Sequence, residues 1–530
     1  MLSLHPRPHL PLLVSLVCFV LLITPVMAAS RQISTDPDVM DLALTRDGRY
    51  ALYLANPRLD GAALYRADTR SGAVQRLSVP LIDGRMVRRT WLNTDMAARA
   101  IYLVAPAGAG NYGDDLLSVA VSGGETVRLS LPPTASDVIG EDVTLSPDGQ
   151  AVFFRQNGSL YRALLTGEAP LLLSSGVPAR AFVFDYAISA SGQHVAFTIG
   201  NTLDGLDLYT APADGSTAAV QVSGARGVNR GVRTQGFAPG YAFTDDGSRM
   251  LYMAREIDDS ADQLYSVPID GSRPSAPRLR LSDPGLGVSR LLVSVAGRVV
   301  FRAGESDDGP SDLFSAPVDG ATPTIVLSGG LRANQGRVPD FMLSPDGATV
   351  LYAALSTNLT TTAILSSVPV AGATAAAPHN TLGQILRWQL VVTPNSSTVL
   401  FPGLDRGLYA VPMHGGAVPE LRMAPLFART QLRHLELTPA GDAALLIATY
   451  DDDARSVLYR VPFSGKAAAT LLSDLVVHTH VALIALTPTV NMVAFSADGA
   501  TAGGTGVFLA DLPVIDPAKM THRVYLPLTR

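Results

Sequence analysis

Ser146-Pro147-Asp148-Gly149 runs straight into Gln150-Ala151-Val152-Phe153-Phe154, and the same pattern returns as Ser344-Pro345-Asp346-Gly347 before Ala348-Thr349-Val350-Leu351-Tyr352. Large apolar residues stand three and one positions before each Ser: Val143 and Leu145, then Phe341 and Leu343. That alternation has the period of a strand. The Asp-Gly pair suits a tight hairpin, because Gly accepts the positive φ such turns need. The decisive segment therefore reads as strand, turn, strand.

Looser copies place the leading Ser or Thr at 45, 94, 146, 189, 244, 294, 344, 393, 438 and 487, a mean spacing of about 49 residues. A third strand follows a variable loop in each unit, as Leu64-Tyr65, Leu160-Tyr161, Leu208-Tyr209, Leu264-Tyr265, Leu313-Phe314, Leu408-Tyr409 and Leu458-Tyr459. Several of these end in Pro and a Gly turn, as in Val267-Pro268-Ile269-Asp270-Gly271; Pro cannot donate to a ladder and so marks the strand's end. A fourth strand closes on Leu-Ser: Leu77-Ser78, Leu129-Ser130, Leu173-Ser174, Leu281-Ser282, Leu327-Ser328 and Leu472-Ser473. A four-stranded antiparallel unit of this length, repeated ten times, predicts an all-β chain folded as a β-propeller. Two smaller rings sharing the chain are the alternative to one.

Ring closure can be read at the ends. Arg31-Gln32-Ile33-Ser34 is similar to the fourth strand Gln75-Arg76-Leu77-Ser78, and the last unit lacks a fourth strand after Phe508. The N-terminal strand is expected to complete the last blade and remove its edge. The tail Thr521–Leu528 is the other candidate for that strand.

The first 28 residues read as an address. Arg7 precedes the apolar run Leu10–Ile23, and Val26-Met27-Ala28 is a small-residue cleavage pattern. A secretory signal peptide over 1–28 is predicted, with repeats over 29–513 and a tail over 514–530. The run is about 14 residues, short of the roughly 20 that span a bilayer. Cys18 is the chain's one cysteine, so the cleaved chain has none, which excludes a disulfide framework and a cysteine-ligated metal. The expected location is extracytoplasmic: secreted, periplasmic or at the cell surface. No later segment is long and apolar enough to span a membrane.

The repeat resembles the WD-like units of TolB-type periplasmic propellers. The likeness rests on the Ser-Pro-Asp-Gly turn, the Val-Phe-Phe strand and the later Leu-Tyr-x-Val-Pro-x-Asp-Gly, and covers nearly all of 31–513. It implies a fold, while the repeat itself serves many functions.

Composition excludes bulk disorder, with 47% hydrophobic residues, and leaves no basic field for nucleic acid, with a net charge of −6. Asp41, Asp142, Asp185 and Asp340 each stand four residues before the turn's Ser or Thr, where other units hold Arg290 and His434. Repeat symmetry places these six around the channel mouth, as a ring for a ligand or as caps on nearby amides. Acidic loops carry Asp258, Asp259 and Asp262; Glu305, Asp307 and Asp308; and Asp451, Asp452 and Asp453. They are the place for calcium if the protein takes any, although none has the spacing of a calcium loop. Arg85, Arg88 and Arg89, and Arg226, Arg230 and Arg233, offer cations to an anionic partner, in a chain with 38 Arg and 2 Lys. His478 and His480 form at most half a metal site. Asn157, Asn358 and Asn395 head glycosylation sequons.

No nucleophile elbow, P-loop or zinc-protease motif occurs. Gly108–Gly113 fits G-x-G-x-x-G but leads into a strand rather than a helix. The expected function is a non-enzymatic scaffold that binds a protein, peptide or glycan, with no cofactor. The alternative is a lyase- or lactonase-type propeller enzyme with a metal-assisted site in its channel.

Overall fold

The structure is a computed structural model. It describes residues 26–27 and 30–512, less 37, 56–60, 81–84, 93–97, 107–112, 133–137, 180, 202–204, 225–230, 236–237, 257–260, 271–278, 295–296, 307–308, 356–363, 373, 375, 380–389, 404–406, 424–430, 451–454, 464–468, 474–480, 488–489 and 499–504.

The repeated turn is held by its own side chains. In the third unit the Ser146 hydroxyl donates to Asp148 Oδ1 at 2.5 Å and accepts from the Ala151 amide at 2.9 Å, while the Gln150 amide donates to Asp148 Oδ1 at 3.0 Å. Thr45–Asp47, Ser344–Asp346 and Thr244–Asp246 repeat the pair, and Thr393–Asn395 substitutes an amide for the carboxylate. These hydrogen bonds, with the hydroxyl of Ser146 or its counterpart foremost, hold the carboxyls of Asp47, Asp148 and Asp246 below the usual range.

The Leu-Ser motif lies just past each fourth strand and has a separate task. Its Ser hydroxyl accepts the amide of the third strand's Leu, as in Ser130 to Leu116 at 3.1 Å, Ser223 to Leu208 at 2.9 Å and Ser328 to Leu313 at 3.0 Å. An amide that the short fourth strand leaves unpaired is thereby satisfied inside the protein. In the seventh unit His379 takes the place of the motif's Leu, its amide donating to Leu365 O at 2.8 Å. It is fully buried, and among the described residues neither ring nitrogen has a partner.

Each unit is a four-stranded antiparallel blade. The first runs Val39–Leu44, Tyr50–Ala55, Ala63–Asp68 and Val74–Arg76. Among the described residues ten such blades follow in chain order. The tenth is Leu483–Thr487, Val490–Asp498, Thr505–Asp511 and, as its fourth strand, Ser30–Ser34 from the N-terminus. The expected closure is thus the observed one; residues 513–530 lie outside the described residues. Val26–Met27 adds a short parallel strand beside Thr470–Leu471 of blade 9.

Ten apolar clusters show that the ring is single. Each joins one blade to the next, and the tenth joins the last blade to the first. In that closing cluster Tyr53 and Leu42 of blade 1 pack with Val507, Met492 and Ile33 of blade 10. Two separate rings would join blade 1 to a middle blade instead. First strands of neighbouring blades lie against one another, so they line the centre and the fourth strands form the rim. Second strands are buried on both faces and read as continuous apolar runs, such as Val152-Phe153-Phe154. Fourth strands are two to five residues long, which blunts the rim as a template for aggregation.

Blades 4 and 5 share one larger sheet. Gly231–Val232 bridges them, pairing with Leu206 on one side and with Arg255 and Ala254 on the other. Gly231 has φ of 129°, and a Cβ there would lie 2.6 Å from Leu206 O, so only glycine fits between the blades.

Candidate functional site

A β-bulge sets the channel-lining residues. In blade 1 the ladder pairs Val39 with Ala55 and Asp41 with Leu54, leaving Met40 as the extra residue. The same shift precedes Asp185, Arg290, Asp340 and His434. One extra residue re-aims the side chain that follows it. Blade 2 carries the bulge as well, between Val87 and Arg89. Thr90 there pairs with Tyr102 as Leu42 pairs with Tyr53, so Arg89 occupies the position of Asp41. Counting back from Thr94 misses Arg89; counting from the paired tyrosines finds it.

The six predicted residues do not converge on one point. The structure brings Arg290 and Asp340 together as an ion pair between blades 6 and 7, with the guanidinium 4.9 Å from the Phe341 ring centre. Asp41 accepts from Thr90 of blade 2 and from the Leu42 amide at 2.9 Å. Asp142 accepts from Arg155 Nε at 2.8 Å, and Arg155 reaches on to the Val183 and Phe184 carbonyls of blade 4 at 3.0 and 2.6 Å. Asp185 accepts from Thr198 at 2.5 Å and from Tyr241 of blade 5 at 2.7 Å. His434 meets Glu436 at 3.3 Å. Asp41 and Asp340 each accept the next residue's amide, and most of the set also stitches blade to blade.

Burial, more than any neighbour, raises the carboxyl of Asp185. Burial and then the charge of Asp185 drive the Tyr241 phenol well above its ordinary value, so it acts as a donor throughout the physiological range. Tyr186 ties the same region together by donating to the Asp142 carbonyl and to Phe153 O at 2.8 Å.

The charged loops are also engaged where they are described. Asp262 Oδ1 accepts from Arg233 Nε at 3.0 Å and Arg255 Nε at 3.1 Å. Glu305 faces Arg332 at 3.6 Å. Arg88 and Arg89 both grip Glu141 of blade 3, and Arg85 donates to the Val104 and Gly113 carbonyls. Among the described residues no three His, Cys, Asp or Glu side chains gather as a metal site. Asp258, Asp259, Asp307, Asp308, Asp451, Asp452, Asp453, Arg226, Arg230, His478, His480 and Asn358 lie outside the described residues.

An apolar patch at blades 3 and 4 was not legible in the sequence. Strands Ala151–Gln156 and Ser159–Leu164 are joined by Asn157 and Gly158 alone, with φ of 52° and 77°, a two-residue hairpin of the primed kind. The Val138 amide donates to Asn157 Oδ1 at 3.1 Å, and the Val183 amide to Gly158 O at 2.8 Å. The Phe182 ring rests on Gly158, where a Cβ would meet it at 2.4 Å. A hairpin this short covers nothing, so Phe182 stays 54% exposed, with Val138 and Phe184 also exposed beside it. Phe184 is the extra residue of its bulge, as Met40 is in blade 1, and Met40 is 49% exposed. Large apolar side chains held open on a rigid frame, next to the Asp142–Arg155 pair, can dock an apolar group flanked by polar ones.

No protein-family model matches the chain, and no curated protein matches it. Solved structures do resemble it in part. An oligogalacturonate lyase in complex with manganese is 11% identical over 94% of this chain and all of its own, with a TM-score of 0.36. A putative TolB from Agrobacterium tumefaciens is 17% identical over 48% of this chain and 83% of its own, with a TM-score of 0.29. One of two prolyl endopeptidases is 13% identical over 79% of this chain, with a TM-score of 0.36; the match spans 55% of that protein's length. The ten-blade sheet order by itself makes this chain a β-propeller.

Proposed function

We propose that this chain is an extracytoplasmic, non-enzymatic binding propeller of the TolB-like kind, and that its ligand is a polypeptide docked at the channel mouth over blades 3 and 4. One observation carries the reading. Phe184, on the first strand of blade 4, and Phe182, just before that strand, are large aromatic side chains left open to solvent around a hairpin too short to cover them. Aromatic anchors in a rigid frame dominate the energetics of protein interfaces. The neighbouring Arg155 and Asp142 supply a polar rim for main-chain groups. The leader-like first 28 residues support export.

The test is selection of displayed peptides on the immobilised chain, repeated with Phe182→Ser/Phe184→Ser. Peptides with apolar anchors should be enriched by the wild type and lost, by tenfold or more in affinity, with the double variant. Equal enrichment by both proteins contradicts the reading. Binding on a glycan array that the double variant retains contradicts it too and moves the ligand class to carbohydrate.

A further inference from the structure

A cavity of about 410 Å³ opens between blades 8 and 9, at the ends of the strands opposite the Asn157-Gly158 hairpin. Its wall includes Arg460, Asp442, Asn395, Thr398, Pro462 and Phe463. The volume is within the range of small-molecule sites.

Arg460 is set apart from its counterparts in the repeat by its burial. It pairs with Leu445 of the second strand, and the matching positions in most other blades hold small residues: Ser118, Thr210, Ser266, Ser315, Ser367 and Ala410. Arg66 and Arg162 are at the same position in blades 1 and 3; Arg66 spends itself on protein, donating to Val121 O at 2.8 Å and Gln75 Oε1 at 2.6 Å, and Arg162 is only half-buried. Arg460 is only 7% exposed, yet it gives one nitrogen, Nη2, to Asp442 Oδ2 at 2.6 Å, and among the described residues its buried Nε has no partner. A buried cation with unmet donors is costly, and an acceptor that fills them recovers that cost.

The remaining polar groups point the same way. Among the described residues Asp442 is the carboxylate of the cavity wall, and both its oxygens are engaged, Oδ2 by Arg460 and Oδ1 by Thr438 at 2.7 Å. Asn395 Oδ1 is fully used by its turn, accepting from Thr393 Oγ1 at 2.7 Å, Ser397 Oγ at 2.7 Å and the Ser397 amide at 3.1 Å. Its amide nitrogen is what it offers a ligand. Among its charged and amide groups the spare capacity is therefore in donors, headed by a guanidinium whose fork matches an oxyanion, and the Ser397 and Thr398 hydroxyls can donate as well. Phe463 and Pro462 add an apolar wall for the ligand's carbon frame.

We propose that this cavity is a second ligand site, which takes a small polar molecule bearing an oxyanion and anchors it on Arg460.

The full exported chain is titrated calorimetrically with D-gluconate, with inorganic phosphate and with D-glucose as the neutral control. Gluconate, phosphate or both should bind saturably, and glucose should not; which of the two binds tells carboxylate from phosphate. Arg460→Gln should weaken binding by about tenfold or more. Asn395→Asp guards against a loss caused by unfolding. Asp is the native residue of the equivalent turns at 148, 246 and 346, so the turn is kept while a like charge replaces the donor. It should abolish anion binding with little change in melting temperature. No saturable heat from either anion up to about 10 mM, equal binding of glucose, or anion binding that both variants leave intact overturns the proposal.

Discussion

The Tyr241 hydroxyl, on the first strand of blade 5, donates to Asp185 Oδ1 on the first strand of blade 4 at 2.7 Å. Two residues 56 positions apart are thereby fastened at the channel wall, where burial makes an unpaired carboxylate expensive. Tyr241→Phe keeps the ring and deletes only the donor. It should lower stability by about 1–3 kcal/mol, read as a shift in the denaturant midpoint at unchanged m-value. A midpoint within error of the wild type would mean that this contact does not fasten the blades.

His379 gives a pH signature. Burial, aided by the nearby His414, pushes its imidazole down to about 4 from an ordinary value near 6.5. The unfolded chain takes up a proton below about 6.5 that the folded chain refuses until about 4. The neutral ring's contribution is therefore fully present above 6.5 and is lost as pH falls between these values. His379→Leu installs the residue that most other blades have at this position, as Leu281 and Leu327 show. The variant removes the titrating ring and should show a flatter fall in melting temperature between pH 6.5 and 4. Parallel curves for the two proteins would contradict the assignment.

The repeated turn predicts an acid response. Hydrogen bonds to Ser or Thr hydroxyls and to amides depress the carboxyls of Asp47, Asp148 and Asp246, so their contribution is present above the ordinary value near 4 and lost as pH falls through the lowered one. Asn395 shows that an amide can serve in the same turn. Asp148→Asn should reduce the loss of melting temperature between pH 4 and pH 2.5, while Asp148→Ala should cost about 0.5–1.5 kcal/mol at neutral pH. An unaltered acid profile for Asp148→Asn would exclude this carboxylate as a contributor.

Ring closure depends on Ser30–Ser34. Removing residues 29–36 exposes the edge of Thr505–Asp511 and withdraws Ile33 from the cluster that joins blade 10 to blade 1. The truncated chain should melt well below the chain that begins at 29 and scatter light on heating. Equal melting and no aggregation would refute closure by this strand.

Chelation provides a separate check. Asp262 is shared by two arginines and Glu305 faces a third, so the described acids of the loop face already have cations. A chelator should leave the melting temperature unchanged, and elemental analysis should find no stoichiometric metal. A lowered melting temperature would restore a metal to the loops or the channel.

Much of the fold was legible because the turn and the Leu-Ser motif are local devices. Ser146 and Asp148 satisfy groups within five residues, so the pattern they need is written in adjacent letters. Closure by Arg31–Ser34 was legible because a missing fourth strand leaves a visible gap in a repeat. The site was much less so. A bulge is one residue out of register, and sequence spacing alone does not distinguish it from a longer loop; Arg89 was hidden for that reason. Phe182 looks like any core aromatic until the length of the Asn157-Gly158 hairpin, in the neighbouring blade, leaves it uncovered. Arg460 is one arginine among 38 until its burial and its bond to Asp442 are seen.

The most direct test of the account is site-specific photo-crosslinking in the cell of origin, with a photoreactive phenylalanine at Phe182 or, as control, at Val418, which is 80% exposed. The account predicts a discrete polypeptide adduct from position 182 and none from position 418. No adduct at 182, or the same adducts from both positions, would contradict it.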